Sequence, residues 1–386
     1  MSNKKIKVLF RHRSMEMGGV EKVLLSMLNN LDREKFDLSL ALNLFQGELR
    51  NQIPSFINFK YLAKGKEDFP KNPLLNKLAF IIRGIKLLSY RKFPWIADSF
   101  ILKNNADVEI ATGYTMFSDV LNSSNKKSKK IGWLHSDITF PKLQPVVTEI
   151  LKQIPQFDYF IWGSQQAKDI FVETYPNIKL PENKVILNAI PIEELKLKAA
   201  EFPLSFAKKT FVSVGRLHTR KGFHKLIEAH ANLLKEGFEH EIIAIGDGEE
   251  RENLEKQAED LGVTESFKFL GTLLNPYPYV KNADFFILSS ESEGWPLIIA
   301  ETLILQKPII ATKVGGIPEM ITNQKNGILI DYEVNAMQNA MRDFLTKPEI
   351  INNIKENLKH SEELFDSKKI FSAVEEIIIN LAKNKK

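Results

Sequence analysis

The sequence predicts an α/β protein of two domains, each a parallel sheet covered by helices. The chain has 386 residues, well past the roughly 250–300 at which one hydrophobic core stops growing. Apolar runs of strand length alternate with amphipathic stretches of helix length, the rhythm of βα units. That rhythm breaks at Asn188, Ala189, Ile190 and Pro191 and restarts at Thr210.

Taken in order, Lys5 to Phe10 is an apolar run of strand length, Val20 to Leu31 follows as a helix, and Phe36 to Leu44 returns as a strand. Further strands read at Val108 to Ala111, Lys130 to Leu134, Tyr159 to Gly163 and Val185 to Leu187. Beyond the connection, the second set comprises Phe211 to Val214, Glu241 to Ile245, Ser266 to Leu270, Phe285 to Leu288 and Pro308 to Ala311. The tail from Ser367 to Lys386 carries Ile370, Val374, Ile377, Ile378 and Leu381 at helical spacing. The expected domains are therefore 1–188 and 189–366, with the terminal helix 367–386 completing the first.

Composition narrows the function. Hydrophobic residues make up 44% and charged residues 26%, the balance of a folded globular protein. There are no cysteines, which excludes disulfides, thiolate-ligated zinc, iron–sulfur clusters and a cysteine nucleophile, and suits a cytoplasmic location. No stretch approaches the roughly 20 apolar residues of a spanning helix, and the start, MSNKKIKVLF, reads as turning into a strand instead of a signal peptide. The net charge of +5 is modest, and acidic residues are interspersed among the lysines. No nucleic acid partner is expected.

In open α/β sheets ligands bind beyond the carboxyl ends of strands, so the loops that follow strands carry the chemistry. After Phe211 to Val214 come Gly215, Arg216, Leu217, His218, Thr219, Arg220, Lys221 and Gly222, then a helix. Cations at a helix N-terminus suit a phosphate or diphosphate; a solvated basic turn is the competing reading. After Phe285 to Leu288 come Ser289, Ser290, Glu291, Ser292, Glu293, Gly294, Trp295, Pro296 and Leu297, with Glu301 further on. Pro296 suits the first turn of the next helix. Glu293 then lies in the loop and Glu301 about a turn and a half inside the helix. Taken singly, Glu301 reads as a helix-surface acid and Glu293 as an acid favoured near a helix N-terminus.

The segments VGRLHTRKG, EGWPLIIAE with its E-x7-E spacing, KVGGIPEMI and MGGVEKVLLSML occur in this order. Together they resemble glycosyltransferase family 4, retaining enzymes of the GT-B fold, over nearly the whole chain. The resemblance implies two Rossmann-like domains whose parallel sheets face each other across a cleft, the first binding acceptor and the second nucleotide sugar. It implies that Arg216 and Lys221 hold the donor diphosphate, that Glu293 lies beside the donor sugar and that Glu301 binds the ribose. Ser290, with Gly294, Trp295 and Leu297, whose backbone amides would approach sugar and phosphate, completes that donor site, and Gly248 lies in a loop on the nucleotide side. Gly18 and Gly19 match the glycine pair that admits phosphates and acceptor, and His135 matches a histidine facing the donor sugar.

The sequence departs from the family pattern in places. Pro296 stands where many members have glycine and has no N–H to offer. Asn188-Ala189 replaces a frequent Asn-Gly, which puts any positive φ there in question. Arg251 occupies the third glycine position of a dinucleotide fingerprint beginning at Gly246, which argues against NAD. No Asp-x-Asp pair occurs, so no metal and no cofactor is expected besides the nucleotide sugar.

One further stretch is distinctive. Leu74, Leu75, Leu78, Ile81, Ile82, Ile85 and Leu88 fall within one arc of a helical wheel, with Lys77, Arg83, Lys86 and Arg91 outside it and Phe80 and Leu87 among the charges. Two readings stand: a helix packed on its own core with a solvated basic back, or an interfacial helix touching anionic lipid at the inner face of the plasma membrane. The expected function is transfer of a hexose, from a UDP-sugar ahead of a GDP-sugar, to a glycan or lipid-linked acceptor in polysaccharide biosynthesis. A non-catalytic nucleotide-sugar-binding protein and another GT-B enzyme, such as a sugar-nucleotide epimerase, are the alternatives.

Overall fold

A computed structural model describes residues 4–135, 138–139, 143–365 and 367–383. The chain divides into two units, Met1–Ala189 with Lys368–Lys386, and Ile190–Ser367. The last three residues of the expected tail lie outside the described residues.

The first unit holds a seven-stranded sheet in the order β3-β2-β1-β4-β5-β6-β7. Its strands are β1 (Ile6–His12), β2 (Phe36–Phe45), β3 (Asn58–Lys64), β4 (Val108–Ala111), β5 (Lys129–Leu134), β6 (Tyr159–Trp162) and β7 (Glu182–Val185). Every pairing is parallel. β4 and β6 are buried at every position, as strands covered on both faces must be; β6 reads as the unbroken apolar run YFIW, whereas β4 carries Glu109 within it. Phe117, Phe160, Phe171 and Trp162 fill the core on one side. The terminal helix Ser367–Lys383 buries Phe371, Val374, Ile377 and Ile378, and its Glu375 holds Lys35 Nζ at 2.8 Å.

The same unit buries a charged cluster. Arg11 on β1 reaches Glu109 on β4 at 2.7 Å and Asp98 at 2.6 Å, while Lys130 on β5 reaches Glu109 at 2.5 Å. Burial alone would raise the Glu109 pKa, yet Arg11 and Lys130 pull it down to about 2. The two cations and two carboxylates balance, and Ser123 and Ser128 donate to Glu109 Oε1, the oxygen that Lys130 also holds, so no buried charge lacks a partner in this cluster.

The second unit holds a six-stranded sheet in the order β10-β9-β8-β11-β12-β13. Its strands are β8 (Thr210–Val214), β9 (Glu241–Ile245), β10 (Phe267–Phe269), β11 (Phe285–Leu288), β12 (Ile309–Thr312) and β13 (Ile328–Ile330), again all parallel. This is the doubly wound order, and the strand sequence reverses between β8 and β11. Ligands bind at such a reversal, and the basic loop and the Glu293 loop leave the sheet from these two neighbouring strands.

Beneath this sheet three hydrogen bonds run in series. His240 Nδ1 lies 2.8 Å from the Phe238 carbonyl, His240 Nε2 2.8 Å from His230 Nδ1, and His230 Nε2 2.8 Å from Ser266 Oγ. A carbonyl only accepts, so His240 donates to it from Nδ1. Burial keeps both rings neutral, and with neutral rings His230 donates to His240 Nε2 and accepts at its own Nε2 from Ser266. Burial pushes His230 down to about 3, His240 lowering it further, and pushes His240 down as well. Because the folded state resists these protons, the stability is complete above the ordinary histidine value of 6.5 and is lost as pH falls from there toward 3. At pH 5 the deficit from His230 alone is about 2 kcal/mol. Urea unfolding at pH 7.5 and 5 should show a lower midpoint in acid; equal midpoints would contradict neutral burial.

Candidate functional site

The loop after β8 closes as a 3-10 turn, Thr219–Lys221, capped by His218 Nδ1 accepting from the Arg220 amide at 3.1 Å. Gly222 follows with φ +68°, and a Cβ there would stand 2.0 Å from the Ser289 carbonyl oxygen. Only glycine allows both the left-handed conformation and this approach of two strand-end loops. The loops are also stitched directly. Ser289 Oγ donates to the Lys221 carbonyl at 2.9 Å, and the Glu291 amide donates to the Arg220 carbonyl at 2.7 Å.

Sequence-distant residues meet through this stitching. Lys221 Nζ lies 2.5 Å from Glu293 Oε1, and Ser290 Oγ donates to the same oxygen at 2.5 Å. The lysine side chain is 15% exposed and the glutamate 7%, so the pair is largely screened from water and stronger than a surface ion pair. Thr312 Oγ1 on β12 donates to the Ser290 carbonyl at 2.5 Å, fixing the loop from beneath. From the other side Gly315, with φ +56°, brings the β12 loop so close that a Cβ would sit 2.0 Å from the Glu293 carbonyl oxygen. The Gly316 amide then donates to the Gly294 carbonyl at 2.6 Å.

Arg216 is exposed, and among the described residues its guanidinium has no hydrogen-bond or salt-bridge partner. Lys221 is thus held by a carboxylate while Arg216 is available to an incoming anion. Gly248 lies in the loop after β9, joined to the basic loop where the Leu217 amide donates to the Asp247 carbonyl at 2.9 Å.

The helix Leu297–Ile304 begins one residue later than the proline suggested, with Pro296 at its N-cap. The Ile299 amide donates to the Pro296 carbonyl at 3.0 Å, which leaves the amides of Leu297 and Ile298 without an intrahelical acceptor. Trp295 is buried against Phe365, with ring centroids 6.1 Å apart. Glu301 is not a helix-surface acid: it is 4% exposed because this helix is buried on nearly all sides. Tyr277 donates its phenol to Glu301 Oε1 at 2.7 Å, and burial with the Glu301 charge raises the Tyr277 pKa well above its ordinary value. Sequence reasoning missed Tyr277. Its one signal is a polar aromatic in YPYV just ahead of a core strand.

Gly18, Gly19 and His135 belong to the first unit, at strand ends. Gly18 is the extended N-cap of the helix Gly19–Asn30, with φ −157°, a conformation open to any residue. His135 follows β5, its ring stacked on Trp133 at 5.2 Å. Its Nδ1 is buried and has no hydrogen-bond partner among the described residues. Burial pushes this histidine down to about 3; His12 lowers it further and Asn188 opposes the shift. It is therefore neutral at physiological pH. His12, at the end of β1, was not anticipated; it sits 2.7 Å from Thr112 Oγ1 and 3.4 Å from Glu21. Ala189 has no positive φ, so alanine sits there without backbone strain.

Residues 198–361 match the family model described as Glycosyl transferases group 1. A Campylobacter jejuni protein, N-acetylgalactosamine-N,N'-diacetylbacillosaminyl-diphospho-undecaprenol 4-alpha-N-acetylgalactosaminyltransferase, is 25% identical over 362 residues, covering 92% of this chain and 95% of that protein. The crystal structure of Anabaena Alr3699/HepE in complex with UDP-glucose aligns with TM-score 0.74 at 19% identity over 97% of this chain and 100% of that one. Sucrose-phosphate synthase from Thermosynechococcus elongatus aligns with TM-score 0.76 at 15% identity over 98% and 99%. These likenesses establish the fold, two Rossmann-like domains of GT-B type, and support a glycosyltransferase of the group 1 type.

Proposed function

We propose that this chain is a retaining hexosyltransferase that moves a sugar from a nucleotide donor, a UDP-sugar ahead of a GDP-sugar, to a glycan or lipid-linked acceptor in polysaccharide biosynthesis. The observation that carries the reading is the Lys221–Glu293–Ser290 cluster at the point where the strand order reverses, with exposed Arg216 in the same loop as Lys221. Cations and a carboxylate side by side answer the two charges of a departing nucleotide: negative on the diphosphate, positive on the sugar ring. Arg216 and Lys221 hold the diphosphate and need no metal to do so. Glu293 orients the sugar and stabilises it as positive charge develops. Gly294, Trp295, Leu297 and Gly248 line the donor, Glu301 binds the ribose hydroxyls, and neutral His135 with Gly18 and Gly19 meets the sugar and acceptor.

In this reading the anomeric C–O bond to the phosphate breaks as the acceptor oxygen forms its bond on the same face. The acceptor proton passes to the departing phosphate oxygen. The enzyme works in the cytoplasm, in peripheral contact with an anionic membrane that carries the acceptor. A likeness to a transferase whose name contains diphospho-undecaprenol favours such an acceptor.

A thermal-shift panel tests the donor. UDP or a UDP-sugar at about 100 times its dissociation constant should stabilise the fold by about 2.7 kcal/mol, with GDP and ADP weaker. No shift with any nucleotide would sink the proposal. Activity should also survive EDTA, since the basic loop replaces a metal; loss restored by magnesium or manganese would reassign the diphosphate site.

A further inference from the structure

The helix Pro73–Lys92 is twenty residues long and has no buried residue. Leu74 is 79% exposed, Leu88 66%, Ile85 61% and Ile82 57%. Its orientation is the inverse of an ordinary surface helix. Leu87 and Tyr90 pack on the cluster of Leu9, Ala41, Leu62 and Leu102, and Arg83 reaches back to Gln46 at 3.3 Å. The arc from Leu74 to Leu88, on the opposite side of the wheel, therefore points away from the protein. The expectation of a helix packed on its own core through its apolar arc is corrected: a narrow back with Leu87 and Tyr90 makes the contact, and the arc from Leu74 to Leu88 does not.

The patch continues past the helix. Phe93, Trp95 and Phe100 are 45%, 51% and 71% exposed, with Trp95 and Phe100 in edge contact at 6.1 Å. Contiguous apolar surface on this scale marks a binding face. Charge identifies the occupant. The helix carries Lys77, Arg83, Lys86, Arg91 and Lys92 and no acid at all. A second copy of the chain would set like charges against each other, whereas a bilayer with anionic headgroups takes the apolar arc among its acyl chains and the cations at its surface. No helix of the described residues is long and apolar enough to cross a membrane, so the contact is with one leaflet.

We infer that the helix Pro73–Lys92 and the aromatic segment after it form an interfacial docking surface for anionic lipid. The inference deepens the proposed lipid-linked acceptor by assigning the surface that brings the enzyme to it. Its test is independent of donor chemistry. The full chain is mixed with vesicles of phosphatidylcholine alone or with phosphatidylglycerol, without nucleotide, and binding is read by co-sedimentation. Of the four tryptophans, Trp133, Trp162 and Trp295 are buried, so a blue shift in emission reports Trp95 entering the interface.

Binding is expected only with phosphatidylglycerol, with a blue shift that Trp95→Phe removes. Ile82→Glu with Ile85→Glu, both at exposed positions, should abolish it while the thermal midpoint stays put. Lys77→Gln, Lys86→Gln and Arg91→Gln together should weaken it about a hundredfold, about fivefold per cation. No sedimentation, equal binding to neutral vesicles, or binding unchanged in the Ile82→Glu/Ile85→Glu chain would overturn the inference. So would a wild-type dimer that this pair of substitutions turns into a monomer. Failure here leaves a nucleotide thermal shift untouched, and the reverse also holds.

Discussion

Arg216→Ala is expected to lower turnover by about two to three orders of magnitude, the usual cost of one preorganised charge at a transition state, with no change in thermal midpoint. The second half follows from exposure: no described residue pairs with the guanidinium, so its removal leaves nothing unsatisfied. Lys221→Ala should match the loss in turnover but behave differently in the folded state. It strips a 7% exposed Glu293 of its cation and leaves Ser290 as the remaining partner. Breaking a buried pair in this way costs about 3–5 kcal/mol at full burial, and somewhat less here, where Lys221 keeps partial exposure. Circular-dichroism melts beside steady-state kinetics on both variants separate the effects. Near-normal turnover in both would mean that the diphosphate is held elsewhere.

That contrast could not be drawn from the sequence, although both cations could be named there. The central strands were legible because burial on both faces makes them continuous apolar runs, as in FFIL of β11 and YFIW of β6. The edges were not. β3 mixes exposed Asn58, Lys60 and Lys64 with buried Leu62 and Ala63, β13 is only three residues long, and β7 is the polar run Glu182–Val185 lying ahead of the apolar Val185 to Leu187 stretch. An edge strand needs only one protected face and ordinary backbone pairing, so its sequence carries a weak apolar signal.

At the site, spacing placed Glu293 in a loop and Glu301 in a helix. It said nothing of which partners each would find 72 or 24 positions away. The helix Pro73–Lys92 shows the same limit. A helical wheel displays an apolar arc, but which side faces the core is decided by Leu87 and Tyr90 meeting Leu9 and Leu62, a contact between distant segments.

Glu293→Gln should reduce kcat by about a hundredfold or more, and Glu301→Gln should mainly raise KM. Glu293 serves two charges at once. By the proposed mechanism its carboxylate faces a sugar whose positive character exists only in the transition state, and in the structure it fixes the Lys221 ammonium at 2.5 Å. Both contributions grow as the diphosphate departs, so their loss appears in turnover. Residues that act as a unit are not additive. The Lys221→Ala/Glu293→Gln double variant should therefore be little slower than either single one, and strict multiplication of the two losses would show that the pair does not work together. Glu301 holds Tyr277 at 2.7 Å in a buried setting, and the ribose it is proposed to bind does not change during the reaction. Its contribution is then equal in ground and transition states and belongs in KM. Tyr277→Phe, which removes the phenol that orients Glu301, should move KM in the same direction by a smaller factor. A pure KM effect for Glu293→Gln, or a pure kcat effect for Glu301→Gln, would exchange the two roles.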